Sequence, residues 1–425
     1  IRSVNDKQIF TAIEVADYEV RLIVGEFFNT RFNIIKVERV ACDGFDGEKV
    51  VNAEAITKAI QTAVENAKKM IGASIKSAIL AVPSYGMKRY SFKSTVDVAG
   101  IDGTVTVQDV RNAMKKAQRM DIGKDYALIQ TVNVKYTVNG ITTRRIPIGE
   151  RCHQLMVDID LLCANRTMAY DLVTCIEKSG IKIMDIFLDT YAVGKEAALF
   201  EQAVNKQIII LKMERQSTSL GLLRNGRMTT AMVFPAGVGY LASGLLEKHA
   251  GINYEQAVEL VKYSAVLNEK ELTDNSVHIW TENGETKTLT EKELVESVLP
   301  KAQDWLKYVK KLCSPILQAG ETTVIITGEG GEAQGLSNLL GDILHTEVKT
   351  YVPDTLGGRN AGLSSCLGLF YAYQDRMPIM GYNDESIDMD AFIKAVSYKE
   401  KKNDGNTKED TLTSKLKGLF LENRK

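Results

Sequence analysis

The residues best suited to chemistry gather at three short turns. Glu14-Val15-Ala16-Asp17 ends one strand-like run, Lys212-Met213-Glu214 ends another far downstream, and Thr327-Gly328-Glu329-Gly330-Gly331 follows a third, with Gly335 just beyond. Such turns can cradle phosphate: backbone N–H groups bind its oxygens, glycine permits close approach, and an acid holds hydrated Mg2+. Two of the three carry charge where a phosphate would need donors. No Ser/His/Asp or Cys/His grouping stands out. The 4 histidines (His153, His249, His278 and His345) are far apart, and the 6 cysteines (Cys42, Cys152, Cys163, Cys175, Cys313 and Cys366) form no CxxC. That spacing predicts no catalytic residue, no metal centre and no disulfide framework.

Periodicity indicates the elements that position those turns. β-rich runs at 9–16, 19–27 and 32–40 are separated by short polar turns, which predicts an antiparallel meander. A helix follows over 51–70, with Ala53, Ile56, Ala59, Ile60, Ala63, Val64 and Ala67 at helical spacing, and then an apolar strand over 77–83. The order returns after residue 206: strands at 207–213, 217–224 and 228–234, a helix opened by Gly237, and later a strand at 323–327 with a helix at 332–344. Two copies this large imply two lobes, with the turns and helix starts meeting in the cleft between them.

Each copy carries an insertion. Residues 84–163 hold four strand-like runs and a helix at 107–119, enough for a small α+β subdomain. Residues 249–321 hold a helix at 254–263, an Asx/Thr-rich stretch, and a long helix at 290–317 that Pro300 and Pro315 should bend or break. The domain plan is therefore 1–83 with 164–205, the insertion 84–163, 206–248 with 322–376, the insertion 249–321, a flexible linker 377–411, and a terminal helix 412–425. In the terminal helix Leu412, Leu416, Leu419 and Phe420 fall at i, i+4, i+7 and i+8, while Lys415, Lys417, Arg424 and Lys425 supply positive charge. This is the pattern of a helix lying in a membrane interface. A helix docked on the body shares it, and the long tether favours the membrane.

Composition narrows the function classes. With 53 basic and 54 acidic side chains the net charge is −1, so no whole-molecule field draws nucleic acid. Apolar residues make up 44% of the chain, as in ordinary globular proteins, and the scattered cysteines suit the cytoplasm. The uncharged span 228–246 is long enough for a bilayer, but Thr229, Thr230, Pro235, Gly237, Gly239 and Gly244 break it into strand, turn and helix. No amino-terminal signal pattern is visible, although the sequence opens on Ile1 without a Met.

Taken in order, the turns resemble the phosphate segments of FtsA, the actin-like bacterial division protein. Residues 10–26 are similar to its first segment, roughly x-G-x-D-I-G-[ST]-S-x-x-K-x-x-V-G-E, with Val20, Val24, Gly25 and Glu26 in place. Residues 208–226 correspond to the second segment, and 324–336 resemble the nucleotide loop [VI]-L-T-G-G-[GT]-[ST]-x-x-x-G-[LI]; 182–192 and 352–359 echo the family too. The resemblance spans about residues 8–375, and the insertion at 84–163 sits where FtsA, unlike MreB-type and Hsp70-type relatives, carries its characteristic subdomain. It implies an α/β, actin-like (ribonuclease H-like) duplicated βββαβα fold, in two lobes with the FtsA-type insertion.

Departures from the pattern fall in the nucleotide cleft. The family's Asp-Ile-Gly becomes Glu14-Val15-Ala16 at the first turn, where Asp17 replaces a small hydroxyl residue, and Lys212-Met213-Glu214 at the second. An ammonium thus stands where a carboxylate would hold the metal, and Mg2+ would meet a like charge. On the next helix the family's Ala-Glu-x-x-Lys reads Ala257-Val258-Glu259-Leu260-Val261, although a shift of one residue restores Glu259 and Lys262. The third turn is the best kept, with Thr327, Gly328, Gly330 and Gly335, while Glu329 replaces a glycine.

The resemblance therefore implies a scaffold rather than an enzyme. It would tether FtsZ to the inner face of the cytoplasmic membrane, self-associate into filaments, and bind ATP with Mg2+ weakly or not at all. A Lys212–Glu14 pair would hold the lobes together. FtsA receives the carboxy-terminal FtsZ peptide on its second insertion, where Lys301, Trp305 and Lys307 could offer a basic, aromatic groove; an ordinary amphipathic helix would read the same. Two alternatives stay open: an actin-like ATPase in which Glu14 holds the metal, and a pilus-assembly relative of the PilM type.

Overall fold

The computed structural model describes residues 7–28, 31–100, 102–268, 270–380 and 385–403. The first lobe opens with β1 (Gln8–Val15), β2 (Glu19–Phe28), β3 (Arg31–Ala41), α1 (Ala53–Ile71) and β4 (Ser77–Val82). The insertion contributes β5 (Lys88–Asp97), α2 (Val107–Gln118), β6 (Tyr126–Val138), β7 (Ile141–Thr143) and β8 (Gln154–Asn165). The chain returns to the first lobe through α3 (Arg166–Lys178), β9 (Lys182–Leu188), α4 (Asp189–Glu196) and α5 (Leu199–Gln202). The second lobe repeats the plan with β10 (Gln207–Met213), β11 (Thr218–Arg224), β12 (Arg227–Phe234) and α6 (Val238–Leu246). Its insertion is α7 (Tyr254–Tyr263), β13 (Ser276–Glu282), β14 (Glu285–Thr290) and α8 (Glu291–Gln318). β15 (Thr322–Thr327), α9 (Leu336–Leu344) and β16 (Val348–Thr350) complete the second lobe, and α10 (Ser364–Met380) and α11 (Met389–Asn403) follow, packed on the first.

The duplication is visible in the sheets. The first is ordered β3-β2-β1-β4-β9 and the second β12-β11-β10-β15-β16, each an antiparallel meander joined to parallel strands. Their central strands β1, β4, β10 and β15 are buried nearly throughout, which is why they read as continuous apolar runs. α1 covers one face of the first sheet because Ile56, Ala59, Ile60, Ala63, Ala67 and Ile71 recur on one side. Asn52 caps its start by accepting from the Ala55 N–H, and Gly72 ends it in the left-handed conformation. α10 covers the other face, so close to α4 that a Cβ on Gly368 would sit 1.8 Å from the Ala192 carbonyl oxygen. The first insertion folds as a four-stranded sheet, β5-β8-β6-β7, backed by α2.

Three expectations need correction. α8 runs as one helix through Pro300 and Pro315. The carbonyl that Pro300 deprives of its donor belongs to Glu296, and the Lys248 ammonium donates to it at 3.2 Å. The Asx/Thr-rich stretch contains a hairpin, turned at Asn283 and Gly284, both with positive φ. The expected linker 377–411 is in its first part structural. α10 reaches Met380, Ser386 is buried between β1 and β4, and α11 lays Met389, Ala391 and Phe392 on the first-lobe core. No helix among the described residues is long and apolar enough to cross a membrane.

Candidate functional site

The cleft is built where β1 and β10 end. Glu14 lies opposite Arg21 in the β1–β2 register, and Lys212 lies opposite Ser219 in the β10–β11 register. The duplicated topology brings the two equivalent positions face to face. The Lys212 Nζ sits 2.5 Å from Glu14 Oε1, 3.2 Å from Asp189 Oδ2 and 3.4 Å from Glu214 Oε1. Arg21, fully buried, donates to Glu14 Oε2 at 3.1 Å, to both Glu214 oxygens at 3.0 and 2.6 Å, to Glu19 at 2.7 Å and to the Tyr18 hydroxyl at 2.6 Å. Ser365 also donates to Glu14. Burial pushes the Glu14 carboxyl up, but Lys212, Arg21 and Ser365 override it and leave it at about 2. Burial likewise disfavours the Lys212 ammonium, and Glu14, Asp189 and Glu214 raise its pKa nonetheless.

Asp17 crosses the cleft in the opposite sense. Its carboxylate accepts from the Arg215 N–H at 3.1 Å, the Gln216 N–H at 2.9 Å and the Ser217 hydroxyl at 2.7 Å. These are the backbone donors of the β10–β11 turn. Burial, with repulsion from Glu214, outweighs the three donors and lifts Asp17 to about 7. Arg215 then bridges outward, to Glu329 at 2.8 Å and to both Glu255 oxygens at 2.7 Å, with its guanidinium over the Tyr18 ring. Lys262 donates to Glu329 at 2.9 Å, so α7 does bring that lysine to the third turn, while Glu259 points to solvent.

The remaining turn residues are committed to structure. A Cβ on Gly237 would lie 2.2 Å from the Glu214 carbonyl oxygen, and the Val238 and Gly239 N–H groups at the start of α6 donate to the Glu214 and Arg215 carbonyls. Gly328 and Gly330 pack against Met213 at distances no Cβ could occupy, whereas Gly331 meets only ordinary contacts. The Thr327 hydroxyl bonds to the Tyr351 and Ala361 carbonyls and to Ser364. The cavity left among Glu14, Asp17, Lys212, Glu214 and their neighbours is about 20 Å³, room for about one water. A magnesium nucleotide does not fit this donor set. The Lys212 ammonium stands among the carboxylates that could hold a metal, the Asp17 carboxylate occupies the donors of the second turn, and the helix start is self-satisfied.

Trp305 requires correction as a partner residue. It is 1% exposed, and its Nε1 donates to Thr218 Oγ1 and the Ala236 carbonyl, each at 3.3 Å. It belongs to the buried face of α8 with Leu294, Val298, Ala302, Leu306 and Val309. Lys301 pairs with Glu247 at 2.7 Å and Lys307 with Asp304 at 3.5 Å on the outer side. Leu412, Leu416, Lys417, Leu419 and Phe420 lie outside the described residues. Sequence reasoning missed Arg21, Asp189 and Arg215. For Arg21 a signal existed: the quoted pattern has a lysine three residues before its Val-Gly-Glu, and Arg21 stands at that place.

Two duplicated sheets meeting at paired turns define an actin-like fold, and solved structures agree. A PilM–PilN type IV pilus biogenesis complex matches with TM-score 0.55 at 12% identity, over 85% of this chain and 97% of that one. MreB5 of Spiroplasma citri bound to ADP matches with TM-score 0.52 at 9% identity, over 88% and 99%. Within that class, residues 86–163 match the family model described as the SHS2 domain inserted in FtsA. Cell division protein FtsA of Bacillus subtilis strain 168 is 24% identical over 374 residues, 86% of this chain and 83% of that protein. FtsA of Escherichia coli K12 is 20% identical over 83% of this chain and 86% of that protein. Over most of its length the chain is thus similar to FtsA, and its first insertion matches the FtsA-type domain.

Proposed function

We propose that this chain is an FtsA-type cell-division scaffold. It tethers FtsZ filaments to the inner face of the cytoplasmic membrane, self-assembles as actin-like proteins do, and holds its two lobes together by ion pairs instead of MgATP. One observation carries the nucleotide-free reading: a buried ammonium, Lys212, is clasped by Glu14, Asp189 and Glu214 in the cleft. Tethering needs no hydrolysis. A single short amphipathic helix binds a bilayer weakly and reversibly, and many such helices on one polymer add avidity.

Titration of the purified chain with labelled ATP and Mg2+ tests the cleft, and micromolar, Mg2+-dependent binding would overturn the nucleotide-free reading. Deleting residues 412–425 should abolish co-sedimentation with liposomes; retention of binding would sink the tether. Capture of the chain on an immobilised FtsZ carboxy-terminal peptide should survive that deletion.

A further inference from the structure

A second cavity lies between the first insertion and the second lobe and shares no lining residue with the cleft. It measures about 530 Å³, within the range of about 300–1,000 Å³ usual for small-molecule sites, and is lined by Arg89, Leu222, Arg224, Asn225, Arg227 and Thr229. Arg89 comes from β5 of the insertion. The others come from the β11–β12 hairpin of the second lobe.

Three arginines, Arg89, Arg224 and Arg227, line this one cavity. Among the described residues the carboxylate recorded beside them is Asp160, 3.7 Å from Arg89 and 3.9 Å from Arg227, too far for a good hydrogen bond to either. Asp160 is itself buried and already accepts from Ser91 and Asn133. Arg224 and Arg227 are also directly paired across the last register position of the hairpin, with the Asn225-Gly226 turn between them. Like charges directly opposite on a hairpin destabilise it. The hairpin carries both arginines all the same, and Arg89 of the insertion lines the same cavity.

We propose that this cavity binds a small soluble molecule bearing a phosphate or diphosphate group. Arginine suits the class because its planar fork donates two parallel hydrogen bonds to phosphate oxygens. The anion would relieve the Arg224–Arg227 repulsion and join the insertion to the second lobe.

The test uses the full chain without added Mg2+, with pyrophosphate, inorganic phosphate and an Asp/Glu-rich peptide as probes, followed by calorimetry. Pyrophosphate should bind most tightly, weaken as salt rises, and lose at least tenfold in affinity in Arg224→Ala and in Arg227→Ala. Because Arg224 is exposed, Arg224→Ala without anion should melt no lower than the parent, whereas a purely structural arginine would lower the melting temperature. Pyrophosphate that fails to bind, or binds equally well to both variants, overturns the proposal. Tighter binding of the acidic peptide also overturns it and assigns the cavity to a polypeptide. Lys212 lies outside this cavity, so Mg2+-independent pyrophosphate binding leaves the reading of the cleft untouched.

Discussion

The two strand-end turns hold equivalent places in the two sheets and differ in kind. The β1–β2 turn presents acids, Glu14 and Asp17, while the β10–β11 turn presents a cation, Lys212, and a set of N–H donors. A cleft built for phosphate needs donors from both turns. Here each turn is the other's ligand. Two turns at equivalent places in the two lobes form a complementary pair.

Breaking the pair at its cation should cost most. Lys212→Met leaves Glu14, Asp189 and Glu214 without their shared ammonium, and losing one partner of a buried ion pair costs about 3–5 kcal/mol. Urea denaturation should show it, with Glu14→Gln recovering part of the loss in the double variant. A fully stable Lys212→Met chain would mean that Arg21 alone balances the cleft.

The two acids of the first turn should titrate with opposite effect. Glu14 is held down at about 2, so its stabilisation is complete above its ordinary value of 4.5 and is lost as pH falls towards 2. Asp17 is pushed up to about 7 from 3.8, so the folded chain binds the extra proton and stability falls as pH rises through that window. The fall is on the order of 4 kcal/mol. Denaturation midpoints for Asp17→Asn should lose the decline between these two values and keep the acid limb. A decline that persists would place its origin elsewhere.

Much of the fold was legible in the sequence, because the four central strands are apolar runs and their order recurs. The cleft was legible only as departures from a pattern. Lys212 facing Glu14 follows from the duplication, but Arg21 to Glu214 joins positions 193 residues apart that no local pattern connects. The β13–β14 hairpin went unseen because its strands are largely exposed and polar, although Asn283-Gly284 is a hairpin-turn signal. Trp305 was misread because an aromatic among lysines looks like a surface groove, while its spacing with Val298, Ala302 and Val309 puts it in the core. Trp305→Phe should therefore cost about 2 kcal/mol, from lost volume and the abandoned Ala236 carbonyl, and leave capture by the FtsZ peptide unchanged.

The lobes differ again at the far ends of their sheets. β10 and β15 pair over six positions from Gln207 to Lys212, whereas β1 and β4 pair over three, Ala12 to Glu14. Ser386 fills the gap: its N–H donates to the Ile9 carbonyl, its carbonyl accepts from Lys76 and Ser77, and its Oγ accepts from the Thr11 N–H at 2.9 Å. The segment before the tail thus completes the first sheet, a place its polar composition concealed. Ser386→Ala removes one acceptor and should cost about 1 kcal/mol. Hydrogen exchange should quicken at Thr11, while the second-lobe amides of β10 stay protected. Equal loosening of both sheets would show that Ser386 acts on the whole molecule, and the asymmetry between the lobes would then be one of sequence alone.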